Sequence, residues 1–572
     1  MQIPKKYNTF MLLLFVTLFS FSPVSAQQQR FVRGEVLVKF KANMQATQIQ
    51  SALSNAGLSQ RRFISQIGVY QCDITNQKDV HTAVQACRES QDVEYAEPNY
   101  IYAIPEMAST PRATPNDPRF DDLWGLHSSD KSGIDAAKAW EVQKGSKNII
   151  VAIIDTGMDY DHEDLRDNIW RNPGETGDGK ENNGIDDDNN GFVDDARGWN
   201  FERDTKDPAD SHGHGSHVAG TVGAVGNNGK GVVGVNWQVT LMPLRFIGTN
   251  GFGEADDAIR AIIYAADNGA NIMSNSWGGD PFMQSMEDAI RYARDKNVLF
   301  VAAAGNDDRD NDRFFHYPSN YQVENVIAVA AANASDGLAN FSNTGREMVD
   351  LSAPGVNILS TFGQGGYQFL DGTSMATPHV SGVAALIMAQ YPGITYRQTM
   401  IRIFGGVERK STHSGFMVTG GRLNAFNSLS TDPLIGFVTD WLDTLFTEGP
   451  YLIDAEAVDD GQIASMTLVY SINGGEQQIL AMQNTGADKF RASIPGQPQD
   501  SNIAYFVEAK DGQGNTGRSR VFTFKIAERS GGGGCGCASA GSASGARASG
   551  LEMIFYLALL IGLVWRGGRR KR

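Results

Sequence analysis

The chain has 572 residues, 41% of them hydrophobic and 20% charged, with a formal net charge of −16. That length exceeds a single domain, and the composition is neither that of a disordered chain nor of one wholly embedded in a membrane. The acidic excess excludes nucleic acid as a partner, because binding phosphates needs a basic face.

Taken in chain order, Lys5 and Lys6 precede an apolar run from Phe10 to Phe21, and Val24-Ser25-Ala26 supplies small residues at a cleavage point. Residues 1–26 therefore read as a secretory signal peptide. Residues 27–110 read as a small α+β unit. Gly34 to Phe40 alternates as a half-buried strand does, and Val93 to Tyr100 supplies a second. Cys72 and Cys87 both lie here; outside the cell they can pair, and the sequence leaves the pairing open. Between Ala103 and Asn116 come three prolines and small polar residues, the composition of a boundary.

Residues 117–430 change pattern. Asn148–Ile154, Thr240–Leu244, Asn271–Ser274, Val298–Ala304 and Val326–Ala331 are continuous apolar runs, as expected of strands buried on both faces. Ala255–Asn268 and Ser285–Lys296 carry helical spacing, closed by Gly269 and Asn297. The class is α/β, with a mainly parallel sheet flanked by helices. Asp155 ends the first run. His214 lies in His212-Gly213-His214-Gly215-Ser216-His217, and Ser374 in Asp371-Gly372-Thr373-Ser374, ahead of an apolar helix through Val380 to Met388. A serine is a weak nucleophile that needs a base, a base needs orienting, and a helix start favours developing negative charge. Each residue alone has an ordinary reading as a cap or a turn. A zinc site on His212, His214 and His217 is the rival, opposed by the intervening glycines and the absence of a His-Glu-x-x-His motif.

The Asp155, His214, Ser374 order and the residues flanking each resemble the subtilisin-like serine proteases, over roughly residues 117–430. The resemblance implies a subtilisin-like fold that hydrolyses peptide bonds through an acyl-enzyme. Asn306, with the Ser374 backbone N–H, would hold the oxyanion. Ser276-Trp277-Gly278 and Ala303-Ala304-Gly305 would wall the primary specificity pocket, with His316 as its floor. Large apolar side chains would then be less welcome, while Asp307 and Asp308 nearby would favour a basic one. Residues 27–110 resemble the propeptides that assist folding and then inhibit, which places maturation between Ala103 and Asn116.

The catalytic region has no cysteine, so another staple is expected. Asp186, Asp188, Asn190, the Phe192 carbonyl and Asp194 follow the first half of an EF-hand loop, but Arg197 stands where the bidentate glutamate belongs. A tight structural Ca2+ loop is expected in place of an EF-hand. The family resemblance implies a second calcium site built from Asp164, Asn228 and the carbonyls of Gly226, Lys230 and Val232.

Residues 435–527 alternate in short strands around Asn473-Gly474-Gly475, Asp511-Gly512 and Gly514-Asn515, which resembles a fibronectin- or immunoglobulin-like β-sandwich. Its role stays open between spacer, binding module and packing partner, with spacer read first. Residues 528–572 hold a Gly-rich stretch with Cys535 and Cys537, a short apolar run from Leu551 to Trp565 and the basic end Arg569-Arg570-Lys571-Arg572. This resembles the Cys-containing C-terminal sorting signals of myxobacteria; a plain membrane tail anchor is the alternative. The expected protein is a secreted, surface-anchored serine endopeptidase made as a zymogen. Its expected partners are peptide substrates, its own propeptide as inhibitor, and sorting machinery at the tail. A degenerate protease acting as an adhesion protein and an acyl transferase on the same scaffold are the other readings.

Overall fold

The computed structural model describes residues 31–527 apart from 43, 76–78, 104–118 and 127–131. The expected signal peptide, the maturation stretch and the tail with Cys535 and Cys537 lie outside the described residues. Among those described, no helix is long and apolar enough to cross a membrane.

The N-terminal unit runs β1 (Phe31–Phe40), α1 (Ala46–Ala56), β2 (Leu58–Ile64), β3 (Val69–Ile74), α2 (Val80–Arg88) and β4 (Val93–Ala103). Its antiparallel sheet has the order β2-β3-β1-β4. Val36, Val38, Leu53, Val84 and Ala96 fill one core between sheet and helices. Asp79 caps α2 by accepting from the Thr82 N–H. Cys72 and Cys87 are buried in that core and are not joined by a disulfide. Burial pushes the Cys72 thiol up to about 12.

The central domain contains α3 (Ala136–Val142), β5 (Ile150–Asp155), β6 (Trp199–Asn200), α4 (His214–Gly223), β7 (Thr240–Arg245) and β8 (Phe252–Glu254). It continues with α5 (Ala255–Asp267), β9 (Ile272–Asn275), α6 (Gln284–Asp295), β10 (Leu299–Ala303), β11 (Val326–Ala332), β12 (Leu351–Pro354), β13 (Ile358–Phe362) and β14 (Gly366–Leu370). α7 (Thr373–Gln390), α8 (Tyr396–Gly406), β15 (Glu408–Arg409) and β16 (Gly421–Arg422) close it. The sheet order is β15-β16-β12-β11-β10-β9-β5-β7-β6, parallel except for the β15–β16 pair. The continuous apolar runs have a direct cause. Val151, Ile153, Leu299 and Val301 point into the core beneath α4 and α7, while Ala152, Ile154, Phe300 and Ala302 point into the core beneath α5 and α6. Gly269 and Asn297 take left-handed φ values of 76° and 63°, one residue beyond the caps of α5 and α6.

The N-terminal unit sits on α5 and α6. Its Glu97 carboxylate accepts from the Gln284 and Ser285 backbone N–H groups at 2.8 Å each, capping α6. Asn99 Oδ1 accepts from the Asp256 N–H at 3.1 Å, which caps α5. The end of β4 then pairs antiparallel with β8, Ile101 opposite Glu254 and Ala103 opposite Phe252.

The C-terminal region folds as two sheets. One contains β17 (Leu434–Val438), β18 (Tyr451–Val458), β21 (Gln483–Gly486) and β22 (Lys489–Ile494). The other contains β19 (Ile463–Ile472), β20 (Gln478–Ala481), β23 (Asn502–Asp511), β24 (Thr516–Arg518) and β25 (Phe522–Lys525). Ile453, Leu468, Tyr505 and Phe524 lie in the core between them. The sandwich packs on the catalytic domain. A Cβ on Gly436 would lie 2.5 Å from Ile401 Cα, and one on Gly405 would lie 3.0 Å from Ile435 N, so β17 and α8 meet backbone to backbone. Arg397 grips Glu456 with two hydrogen bonds of 2.7 and 3.0 Å and lies over the Phe437 ring. Arg346 and Arg520 share Asp440 across the same seam.

Candidate active site

Four strand and helix ends meet at the carboxyl edge of the sheet, where open α/β folds present ligand-binding groups. Asp155 is the last residue of β5 and fully buried. Its Oδ1 accepts from the Thr156 N–H at 2.7 Å and meets His214 Nδ1 at 2.8 Å. His214 opens α4 because Gly213, at φ 104°, turns the chain into the helix. Gly215 lets this turn press against the aspartate, since a Cβ there would lie 2.1 Å from the Gly157 carbonyl oxygen.

Ser374 stands in the first turn of α7, after Gly372 at φ 148°. Its hydroxyl donates to the Ser276 carbonyl at 3.0 Å, and Ser276 Oγ donates to the Ser374 carbonyl at 2.9 Å. The second bond has a covalent reason. Pro378, four residues on, lacks the N–H that would otherwise take the Ser374 carbonyl, leaving that acceptor to Ser276. Asn306 follows β10. Its Oδ1 accepts from both the N–H and the hydroxyl of Thr373, at 2.9 Å each, which fixes the amide with its nitrogen toward Gly372. Sequence reasoning missed this role of Thr373.

Of the expected pocket residues, Ser276 and Gly278 follow β9, while Ala303, Ala304 and Gly305 end or follow its parallel neighbour β10, and Ala304 packs in a core with Ala330, Val349 and Met417. The Trp277 ring is fully buried in the α5/α6 core beside Phe246, so only its backbone is available to a ligand. His316 is buried between the two segments. A Cβ on Gly278 would lie 2.2 Å from His316 Cε1, and one on Gly305 would lie 3.0 Å from its Cδ2. Burial pushes this imidazole down to about 4, so it is neutral in the working pH range. Asp307 and Asp308 are exposed.

The histidine segment does not converge. His217 turns its Nε2 to the Ile358 and Gln368 carbonyls, both at 3.0 Å, and burial pushes it down to about 3. Among the described residues, the groups spaced to hold a metal ion are carboxylates without histidine.

One such group is Glu175, Asp186 and Asp188, whose oxygens lie within 4.8 Å of one another. Glu175, eleven residues before Asp186, was not legible in the motif. It is fully buried; its Oε1 accepts from the Asp187 and Asp188 N–H groups, while its Oε2 is buried with no partner. Asn190 closes the loop by donating its backbone N–H to Asp186 and Asp188. Phe192 anchors it against Trp199 and Tyr264. Asp194 is instead engaged by Lys206 and the Gly184 N–H.

Asp164, Asn228 and Val232, expected at the second calcium site, do come together. The buried Asp164 carboxylate accepts from Asn228 Nδ2 at 2.7 Å, the Val232 N–H at 2.9 Å and the Tyr367 hydroxyl at 2.8 Å. Lys230 N–H takes the Asn228 side-chain oxygen, and the Gly226 N–H bonds the Trp237 carbonyl.

Residues 146–410 match the family model described as Subtilase family, and residues 21–99 match the one described as Fervidolysin N-terminal prodomain. The chain is 34% identical over 412 residues to a thermophilic serine proteinase of Bacillus sp. (strain AK1), covering 71% of this chain and 90% of that protein. It is 33% identical over 319 residues to thermitase of Thermoactinomyces vulgaris, covering 55% of this chain and 99% of that one. The fold is similar to that of fervidolysin from Fervidobacterium pennivorans, with a TM-score of 0.55 at 22% identity over 87% of this chain and 77% of that one. The chain belongs to the subtilase family: it is a subtilisin-like serine endopeptidase built with an N-terminal prodomain.

Proposed function

We propose that this protease works through Asp155, His214 and Ser374, in a secreted zymogen held at the cell surface by its C-terminal region. The observation that carries the reading is the 2.8 Å bond between Asp155 and His214, at the sheet edge where Ser374 opens the packed helix α7. A peptide laid along β8, as the end of β4 lies now, presents its scissile carbonyl to Ser374. The serine hydroxyl leaves the Ser276 carbonyl, attacks, and passes its proton to His214 Nε2, while Asp155 holds the imidazolium. The tetrahedral oxyanion takes hydrogen bonds from Asn306 Nδ2 and the Ser374 N–H. Collapse expels the amine, which takes the proton from His214. Water activated by the same histidine then hydrolyses the serine ester.

The neutral His316 ring between Gly278 and Gly305 occupies the space a large side chain needs, so the preferred residue before the scissile bond is small. The exposed Asp307 and Asp308 give no buried counter-charge for a basic one. Glu175, Asp186, Asp188, Asn190 and the Phe192 carbonyl would hold the structural calcium ion, with Glu175 in place of the missing downstream glutamate. Bound there, the cation supplies charge compensation to buried carboxylates and ties residues 172–195 together.

Wild type and Ser374→Ala, both truncated before Gly531, test the reading with a fluorophosphonate probe and a sizing gel. Only wild type is expected to take the label and shed a fragment ending between Ala103 and Asn116. Equal labelling of the two would remove Ser374 from its role. Restoring residues 531–572 is expected to move the protein from the medium to the cell envelope.

A further inference from the structure

We propose that the docked prodomain shares a proton with the protease at Glu35, Glu254 and Asp256, so that the inhibitory complex is tightest in mildly acidic medium and loosens as the pH rises. The inference rests on the reading of residues 27–110 as an inhibitor that must leave. One oxygen from each of the three carboxylates lies within 4.8 Å of the others, Glu35 on β1 of the prodomain and the other two on β8 and α5 of the protease. Glu35 and Asp256 are buried. Asn99 Nδ2 bridges them, donating to Glu35 at 3.0 Å and to Asp256 at 2.7 Å. Gln71 also donates to Glu35, at 2.9 Å, and keeps its own buried Oε1 without a partner.

The charges around this group do not balance. Arg61 on β2 pairs with Glu35 and stands 3.9 Å from Asp73 on β3. Arg62 reaches Asp204 at 3.4 Å and Asp256 at 4.0 Å. Arg260 on α5 pairs with Asp257 and Asp204. The carboxylates of Glu35, Asp204, Glu254, Asp256 and Asp257 thus face the guanidinium groups of Arg61, Arg62 and Arg260, and Glu254 has no ion pair within 4 Å among the described residues. Docking pairs the Glu254 backbone with Ile101 of β4 and brings Glu35 against its partly exposed carboxylate. Burial first, then Asp256 and Glu35, push Glu254 up to about 7, against the smaller opposing pull of Arg61 and Arg260. Burial likewise pushes Asp256 up.

An acid whose pKa is higher in the complex than in the separated partners binds a proton on docking. Its contribution to the complex is present in full below the ordinary glutamate range and is lost as the pH rises through about 7. Release at neutral to alkaline pH is thereby favoured without any change at Asp155, His214 or Ser374.

The test uses the autoprocessed wild-type chain. The complex is isolated by size exclusion at pH 5.5 and moved to buffers from pH 5.5 to 8.5, and the prodomain remaining in the protease peak is followed with time. The half-life is expected to fall at least about ten-fold across that range, less than about three-fold in Glu254→Gln, which removes the titrating group, and by an intermediate factor in Glu35→Gln, whose mature protease is chemically identical to wild type. The Glu254→Gln slope alone decides the comparison if Glu35→Gln does not process. A half-life in wild type that ignores pH, or slopes in the variants that match wild type, overturns the proposal. If no complex forms at any pH, the inhibitor reading itself has failed and this inference falls with it.

Discussion

Asn306 is fixed through its oxygen by Thr373, so its nitrogen is available to developing charge without reorganisation. Asn306→Ala is expected to lower kcat about 10²–10³-fold with little change in KM, the loss known for the same donor in a subtilisin. His316→Gly should reverse the pocket preference, raising kcat/KM for a phenylalanine before the scissile bond by about ten-fold or more over alanine; a peptide series reads this directly. His217 and His379 are buried neutral, pushed down to about 3 and about 4. Unfolded histidine titrates near 6.5, so the stability linked to these groups is complete above about 6.5 and is lost as pH falls toward 4. The melting temperature should therefore drop between pH 7 and pH 4.5, and drop less in His217→Asn.

At the level of elements, the loop 172–195 is held by few apolar contacts and by carboxylates that repel one another. Calcium removal by chelation is expected to lower the melting temperature of wild type and to make this loop the first site of proteolysis. In Glu175→Gln the gap between calcium-loaded and chelated protein should narrow, measured by differential scanning fluorimetry. Asp164→Asn is expected to leave that gap unchanged, because its partners are Asn228, Val232 and Tyr367 rather than the loop. The helices that frame the site were legible from the residues themselves. Ser374 ahead of an apolar run announces the start of α7, and Gly269 and Asn297 the ends of α5 and α6. Glu175 was not legible, since a ligand supplied from upstream of a loop leaves no fixed spacing to read.

For the whole molecule, the sandwich is part of the protease's packing. Gly436→Val should force α8 and β17 apart and destabilise the protein by about 1–3 kcal/mol, visible as a lower denaturant midpoint. Arg397→Ala, which breaks the bidentate pair with Glu456, should act in the same direction. The prodomain is docked by complementary means: Glu97 and Asn99 satisfy the open N–H groups of α6 and α5, and β4 lends its edge to β8.

The sequence by itself determined the parallel sheet, because strands buried on both faces must be apolar throughout, and it determined the order of Asp155, His214 and Ser374 along the chain. It also marked the strands β1 and β4 in the prodomain, and β19, β23 and β25 in the sandwich; that the second face of β1 and β4 is buried as well, with Leu37 and Tyr95 against the α5/α6 core, came from docking. Only the tertiary structure decided what depends on residues distant in sequence. It placed Glu175 against Asp186 and Asp188, turned Trp277 into the core, set the His316 ring between two glycines, brought Asn228, Val232 and Tyr367 to Asp164 and seated the sandwich on α8. Local patterns record which face a residue must bury; they carry no record of which remote group it will meet there.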